Sequence, residues 1–441
     1  MTQRYASEEL AEFVRSVEDV PESTLEAAKR SVFDAVSCAV AGTSTKGAVA
    51  ARKGALAIWG RGTIPIWLSS ERSTAIGATF ANSAATSMLD FDDGHRAAAG
   101  HPGAAIVPAV LAAVHENPDF EARALHAIAI GYEVGIRIAA ARDLPQLDTV
   151  NTGRWCGQAA AAAVGWLRDS PSRVIAEAIS GVGAVAPLMA YADFTQVGNN
   201  VKEAIPLATA NGLASLHLAK VGFAAPLDIL DDSRYFDRAA LLKDLGDSWL
   251  IETSYFKPYG CCRWIHAPID ALTNIISKHE IDIAEITEID VRTFDKALTL
   301  SNQTAPASLE AAQFSIPFCL GAAAVHGTSA LVPMTDAALL TDQDVLRVAS
   351  VVKTSLDSEL DVMFSAAVPA RVSVRCGERE FTQVVRAPLG EPSNPMSWQA
   401  LLTKYKDLTN GCLDTTKSET LLNALRDMRS GHLRPLLKEL S

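Results

Sequence analysis

Long stretches of this chain are suited to burial on every side. The segments STAIGATFANSAATSML, HPGAAIVPAVLAAVHE, ARALHAIAIGYEVGIRIAAA, GQAAAAAVGWL and ATANGLASLHLAKVGF are built largely from alanine, glycine and aliphatic residues. A helix of this kind has no broad polar face to give to water, so it belongs inside a bundle. Its small side chains let neighbouring helices approach closely. From Ser7 to about Leu250 the pattern is helical throughout. SEELAEFVRSV opens with a capping-box-like spacing at Ser7 and continues with apolar residues at i, i+3 and i+4. PESTLEAAKRSVFDAVSCAVAG reads as an amphipathic helix closed by Gly42.

The pattern changes after Trp264. APIDALTNIISKHE is helical, ITEIDVRTF (Ile286 to Phe294) alternates as a strand does, and a further helix lies near EAAQFSIPFCLGAAAVHG. PARVSVRCGEREFTQVVRAP reads as two strands around a turn at Gly377. Beyond Ser397 the chain is helical again. The expected architecture is therefore mainly α: a large all-helical domain over residues 1–264, completed by 395–441, with a smaller α+β lid domain inserted over 265–394.

Of the 441 residues, 49% are hydrophobic and 20% charged, which excludes a disordered chain. The net charge of -12, with no basic stripe to offset it, excludes nucleic acid as a partner. Seven cysteines without a CxxC spacing read as reduced thiols. The N-terminus MTQRYASEELAEF has no apolar leader, and runs such as GAAIVPAVLAAV are too short to span a bilayer. These features predict a cytoplasmic protein without a membrane partner.

Against this apolar background, LDFDDGHRAAAGHPG (Leu89 to Gly103) gathers Asp90, Asp92, Asp93, His95, Arg96 and His101. It can be read as a metal site, as a solvated capping loop or as a catalytic loop. Its spacing matches no metal motif. A catalytic loop is favoured, because titratable loops between buried helices are where chemistry is mounted. A histidine beside carboxylates can be fixed in one tautomer as acid or base, and the amides that open the next helix can face an anion. A second concentration, FKPYGCCRWIHAPIDAL, holds Lys257, Arg263 and His266 among residues that would bury them. It suits a carboxylate in a cleft, with a basic surface linker as the alternative. GVGAVA (Gly181 to Ala186) matches GxGxxA but follows a helical stretch, so it predicts no dinucleotide site. Lys202, after a Gly-Asn-Asn turn, taken alone reads as a surface lysine.

The blocks LDFDDGH…HPGAAIVPAVLA, FKPYGCCRWIHAPIDAL and EAAQFSIPFCLGAAAVHG resemble those of the MmgE/PrpD family. Its members include 2-methylcitrate dehydratase, cis-aconitate decarboxylase and iminodisuccinate epimerase. The resemblance spans essentially the whole chain. It implies a helical domain with a smaller α+β lid, a homodimer, a site between the domains, and neither metal nor organic cofactor. It places Asp90 and His101 in the catalytic loop and makes Lys257 and Lys202 active-site lysines. Three positions depart from the decarboxylase branch: Gly94 where threonine is frequent, Phe318 where tyrosine is frequent, and no histidine in QLDTVNTGRWCGQ ahead of Gly157. His95, Arg96 and Arg154 are then expected to supply replacement contacts, with Asp93 and His266 also lining the substrate.

The expected activity is a cofactor-independent lyase that dehydrates a small di- or tricarboxylate, with His101 as acid or base, Asp90 orienting it, and Lys257, Lys202 and Arg154 facing carboxylate charge. The alternatives are epimerisation of an iminodisuccinate-like dicarboxylate, a cis-aconitate-type decarboxylation, or a non-catalytic binding protein on the same fold.

Overall fold

The computed structural model describes residues 4–441 except 148 and 187–198. It is mainly α-helical, with two small sheets. The alanine- and glycine-rich segments form the helices Ala75–Ser87, Gly103–Glu116, Ala124–Ala140, Cys156–Leu167 and Ile205–Lys220, and these pack on one another. Helix Cys156–Leu167 is buried along its whole length. Where it crosses Ile205–Lys220, a Cβ on Gly212 would run into the Gly157 carbonyl group. A Cβ on Gly157 would run into the carbonyl of Ala208. Backbone therefore lies directly on backbone at this crossing.

The first helix starts two residues earlier than its capping pattern suggests, at Ala6 with Tyr5 as its cap. Ser7 lies inside its first turn and donates to the Leu227 carbonyl at 2.6 Å, while the Glu8 carboxylate takes up the Tyr5 amide. Helix Glu22–Gly42 ends at the glycine expected to close it. A two-stranded antiparallel sheet, β1 (Arg61–Pro65) with β2 (Arg72–Ser73), interrupts the run expected to be all-helical. Strands this short carry no readable alternation.

A second core is built mainly from residues beyond 260, joined by Leu144 and Val150. Its sheet has the order β4 (Val352–Leu356), β3 (Ile286–Thr293), β5 (Ala370–Cys376), β6 (Arg379–Val385). β5 and β6 form the hairpin expected around Gly377, and both β5 neighbours are antiparallel to it. β4 runs parallel to β3, which requires the long helical crossover between them. Only the first residue of β4 is buried, so it shows no apolar alternation to read. Helix His266–His279 covers the sheet with Ile269, Leu272 and Ile275.

The C-terminal helices Trp398–Thr409, Thr415–Arg429 and Arg434–Glu439 return to the first core, burying Leu401, Tyr405, Leu425 and Leu436. The ammonium of Lys404 is sealed inside. It donates to the Asp34 carboxylate and the Phe91 carbonyl, both at 2.6 Å, and so ties the last third of the chain to the 89–103 loop. No helix among the described residues is long and apolar enough to cross a membrane.

Backbone-on-backbone contact gives a paired test. Gly212→Ala should cost roughly 1–3 kcal/mol, as overpacking does. Gly181→Ala, where a Cβ would meet nothing closer than 3.4 Å, should be neutral or gain up to about 1 kcal/mol from helix propensity. Urea unfolding of the two variants beside wild type decides it, and equal midpoints would refute the close approach.

Candidate active site

The 89–103 loop leaves helix Ala75–Ser87 through Asp90, whose φ of 51 turns the backbone left-handed. Gly94 then pairs with Tyr255 and His95 with Gly100, so the loop is folded on itself and pinned to the 255–258 segment. Asp90, Asp92, Asp93, His95 and His101 are all buried. The solvated-loop alternative is thereby removed.

Asp90 is the hub. Its Oδ1 accepts from Lys202 Nζ at 2.8 Å and its Oδ2 from Lys257 Nζ at 2.7 Å. Lys257 also donates to the Asp90 carbonyl at 3.0 Å. Burial alone would push the Asp90 carboxyl up, but the two ammonium groups and His101 outweigh it and hold the group far below the usual carboxylate range. Burial likewise opposes the Lys257 cation, and Asp90 more than restores it, so its pKa lies above the ordinary lysine value.

Lys202 reaches Asp90 from an unusual turn. Lys202, Glu203 and Ala204 all have positive φ, at 47, 53 and 60, immediately before helix Ile205–Lys220. Non-glycine residues in this region cost of order 1–3 kcal/mol each and persist only where the surroundings over-determine them. The turn buries both the lysine and the glutamate. Lys202 Nζ further donates to Gln313 Oε1 at 3.1 Å and lies 4.9 Å from the centre of the Phe314 ring. Of the turn expected before it, Gly198 lies outside the described residues.

His101 sits beside this hub. Its Nδ1 meets Asp92 Oδ2 at 3.1 Å, so Asp92, rather than the expected Asp90, fixes the ring. Nε2 faces Asp90 Oδ1 at 3.7 Å and Glu203 Oε1 at 3.8 Å. Burial and Lys257 oppose its positive charge, but Asp92 and Asp90 prevail and its pKa is raised. Thr152 closes the ring of contacts: its hydroxyl accepts the His101 amide at 3.1 Å and donates to Glu203 Oε2 at 2.6 Å.

The other expected site residues lie elsewhere. Asp93 turns away from His101. It accepts the Gly103 amide at 3.0 Å and the Tyr132 hydroxyl at 2.6 Å. The amide that opens helix Gly103–Glu116 is therefore taken up by the chain's own Asp93 carboxyl group. His95 bonds Thr253 at 2.8 Å, and burial beside Arg96 brings its pKa down to about 4. Arg96 and Arg263 both grip Glu391, at 2.7 and 2.8 Å. His266 is enclosed, with one ring nitrogen 3.0 Å from Arg263 and the other 3.2 Å from the Cys261 carbonyl. Arg96, Arg263 and His266 are thus turned to protein partners, while His95 Nδ1 is buried without a hydrogen bond among the described residues. Arg154 is half-buried at the end of the 152–154 turn.

Asp90, His101 and Glu203 could present ligand atoms within 4.8 Å of one another. A divalent ion there would have to join an Asp90 whose two oxygens each already carry an ammonium group, so the donor set fits a metal poorly. Glu203, Gln313 and Asp92's role on His101 escaped the sequence reading. The strained Lys202–Ala204 turn has no glycine to signal it.

The comparison with known proteins follows this geometry. Residues 8–245 match the MmgE/PrpD N-terminal domain and residues 259–429 the MmgE/PrpD C-terminal domain. The chain belongs to the MmgE/PrpD family. Two cis-aconitate decarboxylases of Aspergillus terreus, one from strain NIH 2624 / FGSC A1156, are each 23% identical to it over 463 residues, covering 97% of this chain and 93% of their own. This MmgE/PrpD chain has no space for a side chain at position 94, because a Cβ there would strike the Tyr255 ring. Phe318 is fully buried. In the segment that lacks the histidine, Asp148 lies outside the described residues.

Asp93 yields a pH test. Burial, with Asp34 nearby, pushes its pKa up to about 7, above the roughly 3.9 of an unfolded aspartate. The folded chain then keeps a proton that the unfolded chain releases. Stability is full below about pH 4 and falls as pH rises toward 7. Asp93→Asn should remove on the order of 2–4 kcal/mol of that slope. Denaturant titrations at several pH values check it, and a loss of stability equal at every pH would refute it.

Proposed function

We propose that this protein is a cofactor-independent lyase that dehydrates a small hydroxy-polycarboxylate by acid–base chemistry at a carbon beside a carboxylate. One observation carries the reading: a histidine whose pKa is raised and two buried ammonium groups converge on one sealed carboxylate. In such a dehydration a proton leaves the carbon next to the carboxylate, hydroxide leaves the neighbouring carbon, and a double bond forms between them. The carbon acid is weak, so fixed cations must meet the enolate-like charge in a water-excluded site. Lys257 uses two of its three N–H groups on Asp90, which leaves a third for a substrate oxygen. Asp92 holds Nδ1 of His101 and leaves Nε2 to carry the proton.

The named relatives favour a second reading, decarboxylation of an unsaturated tricarboxylate, in which carbon dioxide leaves in place of the proton. The same cations would meet the same charge. Epimerisation of an iminodisuccinate-like dicarboxylate would need a second base across the carbon from His101.

The proposal includes a division into domains at 264/265 and 394/395, supported by the two separate cores, with the smaller part acting as a lid. It also includes a homodimer. Helix Ile205–Lys220 leaves Leu207 and Leu218 exposed, and Val221 and Phe223 beyond it are more exposed still. A cytoplasmic setting is supported by seven cysteines without a disulfide. Light scattering of the purified protein should give twice the chain mass, and a monomer at micromolar concentration would end the dimer reading.

Proton NMR in deuterated water with 2-methylcitrate, citrate, cis-aconitate, tartrate and iminodisuccinate tests the reaction. Deuterium beside a carboxylate, with an alkene product, is the expected result. An epimer or a decarboxylated acid would select an alternative, and no exchange with any of them would reject the enzyme reading. His101→Ala should lower turnover roughly 10²–10⁴-fold with folding intact. Asp92→Asn should move the His101 limb of the kcat/KM profile to lower pH, because Asp92 raises that pKa. Chelators should leave activity unchanged.

A further inference from the structure

Lys404 stands on helix Trp398–Thr409, in the last part of the chain, and is only 4% exposed. Its ammonium group donates to Asp34 Oδ1 and to the Phe91 carbonyl, both at 2.6 Å, and lies 4.3 Å from the centre of the Phe91 ring. The titratable groups facing it are Asp34, the Cys38 thiol and Asp92. A buried ion pair gives little net stability, since well-packed apolar side chains of similar volume do as well or better. What this pair does is hold a peptide. The Phe91 carbonyl belongs to the planar unit that leads into Asp92. On the other side of Asp92, the Asp93 carboxyl group is held by the Tyr132 hydroxyl at 2.6 Å, the Gly103 amide at 3.0 Å and the Ser31 hydroxyl at 3.3 Å. Asp92 Oδ2 meets His101 Nδ1 at 3.1 Å, and Asp92 Oδ1 is buried without a hydrogen bond among the described residues. The Asp92 carboxyl group is therefore aimed by the backbone on either side of it.

His101 depends on this aim. Asp90, Asp92 and Glu203 face its ring as acids and Lys257 as a cation, with Lys202 behind Asp90. Of the three acids only Asp92 is within hydrogen-bond distance, the other two lying 3.7 and 3.8 Å from Nε2. We propose that Lys404 is a positioning residue for the acid–base step: by holding the Phe91–Asp92 peptide it keeps Asp92 against Nδ1 of His101 and so keeps Nε2 turned to the reacting position. This rests on the reading of His101 as the acid–base group and deepens it. The residue that sets the histidine comes from 313 positions beyond Phe91 and touches no substrate.

The test uses the full chain and the paired substitution Asp34→Asn with Lys404→Met, which removes the ion pair together and leaves no lone charge behind. Loss of the acid and loss of the cation act on His101 in opposite senses and largely offset. Loss of Asp92 from Nδ1 makes the ring harder to protonate. NMR titration of isotope-labelled histidines, with His101→Ala to assign the signal, should show His101 protonating at a pH lower by about one unit, a tenfold change in its equilibrium. The matching limb of the kcat/KM profile should move with it, and kcat should fall roughly ten- to hundredfold with KM little changed. In the Asp92→Asn background the same pair should shift His101 no further, because it acts through Asp92. A His101 titration that is unchanged or raised, a shift as large in the Asp92→Asn background as in wild type, or a paired variant that fails to fold would each show Lys404 to be structural and overturn the proposal. The titration needs no substrate, so the two readings fail separately. A wild-type protein that exchanges no deuterium into any polycarboxylate, with His101 still shifted by the pair, would keep the positioning and reject the reaction.

Discussion

The buried carboxylate of Asp90, held between two ammonium groups, is the interaction on which the rest of this structure depends. A lone carboxylate in such a place would be neutralised by desolvation. With Lys202 on one oxygen and Lys257 on the other it remains ionised. The partners come from far along the chain, 112 and 167 residues away. Gln313, from the second core, binds Lys202 and the Met88 carbonyl. One acid thus joins the helical core, the strained turn before helix Ile205–Lys220 and the sheet-bearing core. Removing any one member leaves a buried charge uncompensated, which costs more than the intact group contributes.

The same network accounts for the backbone strain. Four residues with positive φ, Asp90 and Lys202 to Ala204, all lie at it. None is glycine, so the left-handed turns are imposed by what their side chains reach. Lys404 does comparable work from behind the loop: its bond to the Phe91 carbonyl fixes the backbone between Asp90 and Asp92. The acidic groups it faces, Asp34 with Asp92 and Asp93 nearby, form a buried carboxylate cluster under the loop. The geometry of the 89–103 loop is therefore supported by a C-terminal helix as well as by its own contacts.

Much of this was legible in the sequence, and the limits have physical causes. The helical core could be read because alanine and glycine patterning over a dozen residues leaves few alternatives. The hairpin around Gly377 could be read because β5 alternates and a glycine sits at the turn. The 89–103 loop stood out because titratable groups are expensive in apolar surroundings. Which of its members face the chemistry was not legible. Asp92 and Asp93 are adjacent, yet one holds His101 and the other caps a helix. Arg96 and His266 looked available for substrate, but Glu391, distant in sequence, draws Arg96 and Arg263 to itself, and Arg263 in turn lies against His266. Glu203 and Gln313 carried no local signal. Their role comes only from tertiary contact.

Charge balance separates the parts of the site. The cluster sets Lys202, Lys257 and the His101 ring against three acidic side chains, Asp90, Asp92 and Glu203. That set is suited to moving a proton and sheltering a transient negative charge. It has no surplus with which to attract a polyanion into a protein of net charge -12. A polyanionic substrate of the kind proposed would have to draw on positive charge outside the cluster. Arg96 and Arg263 cannot supply it, because both are committed to Glu391.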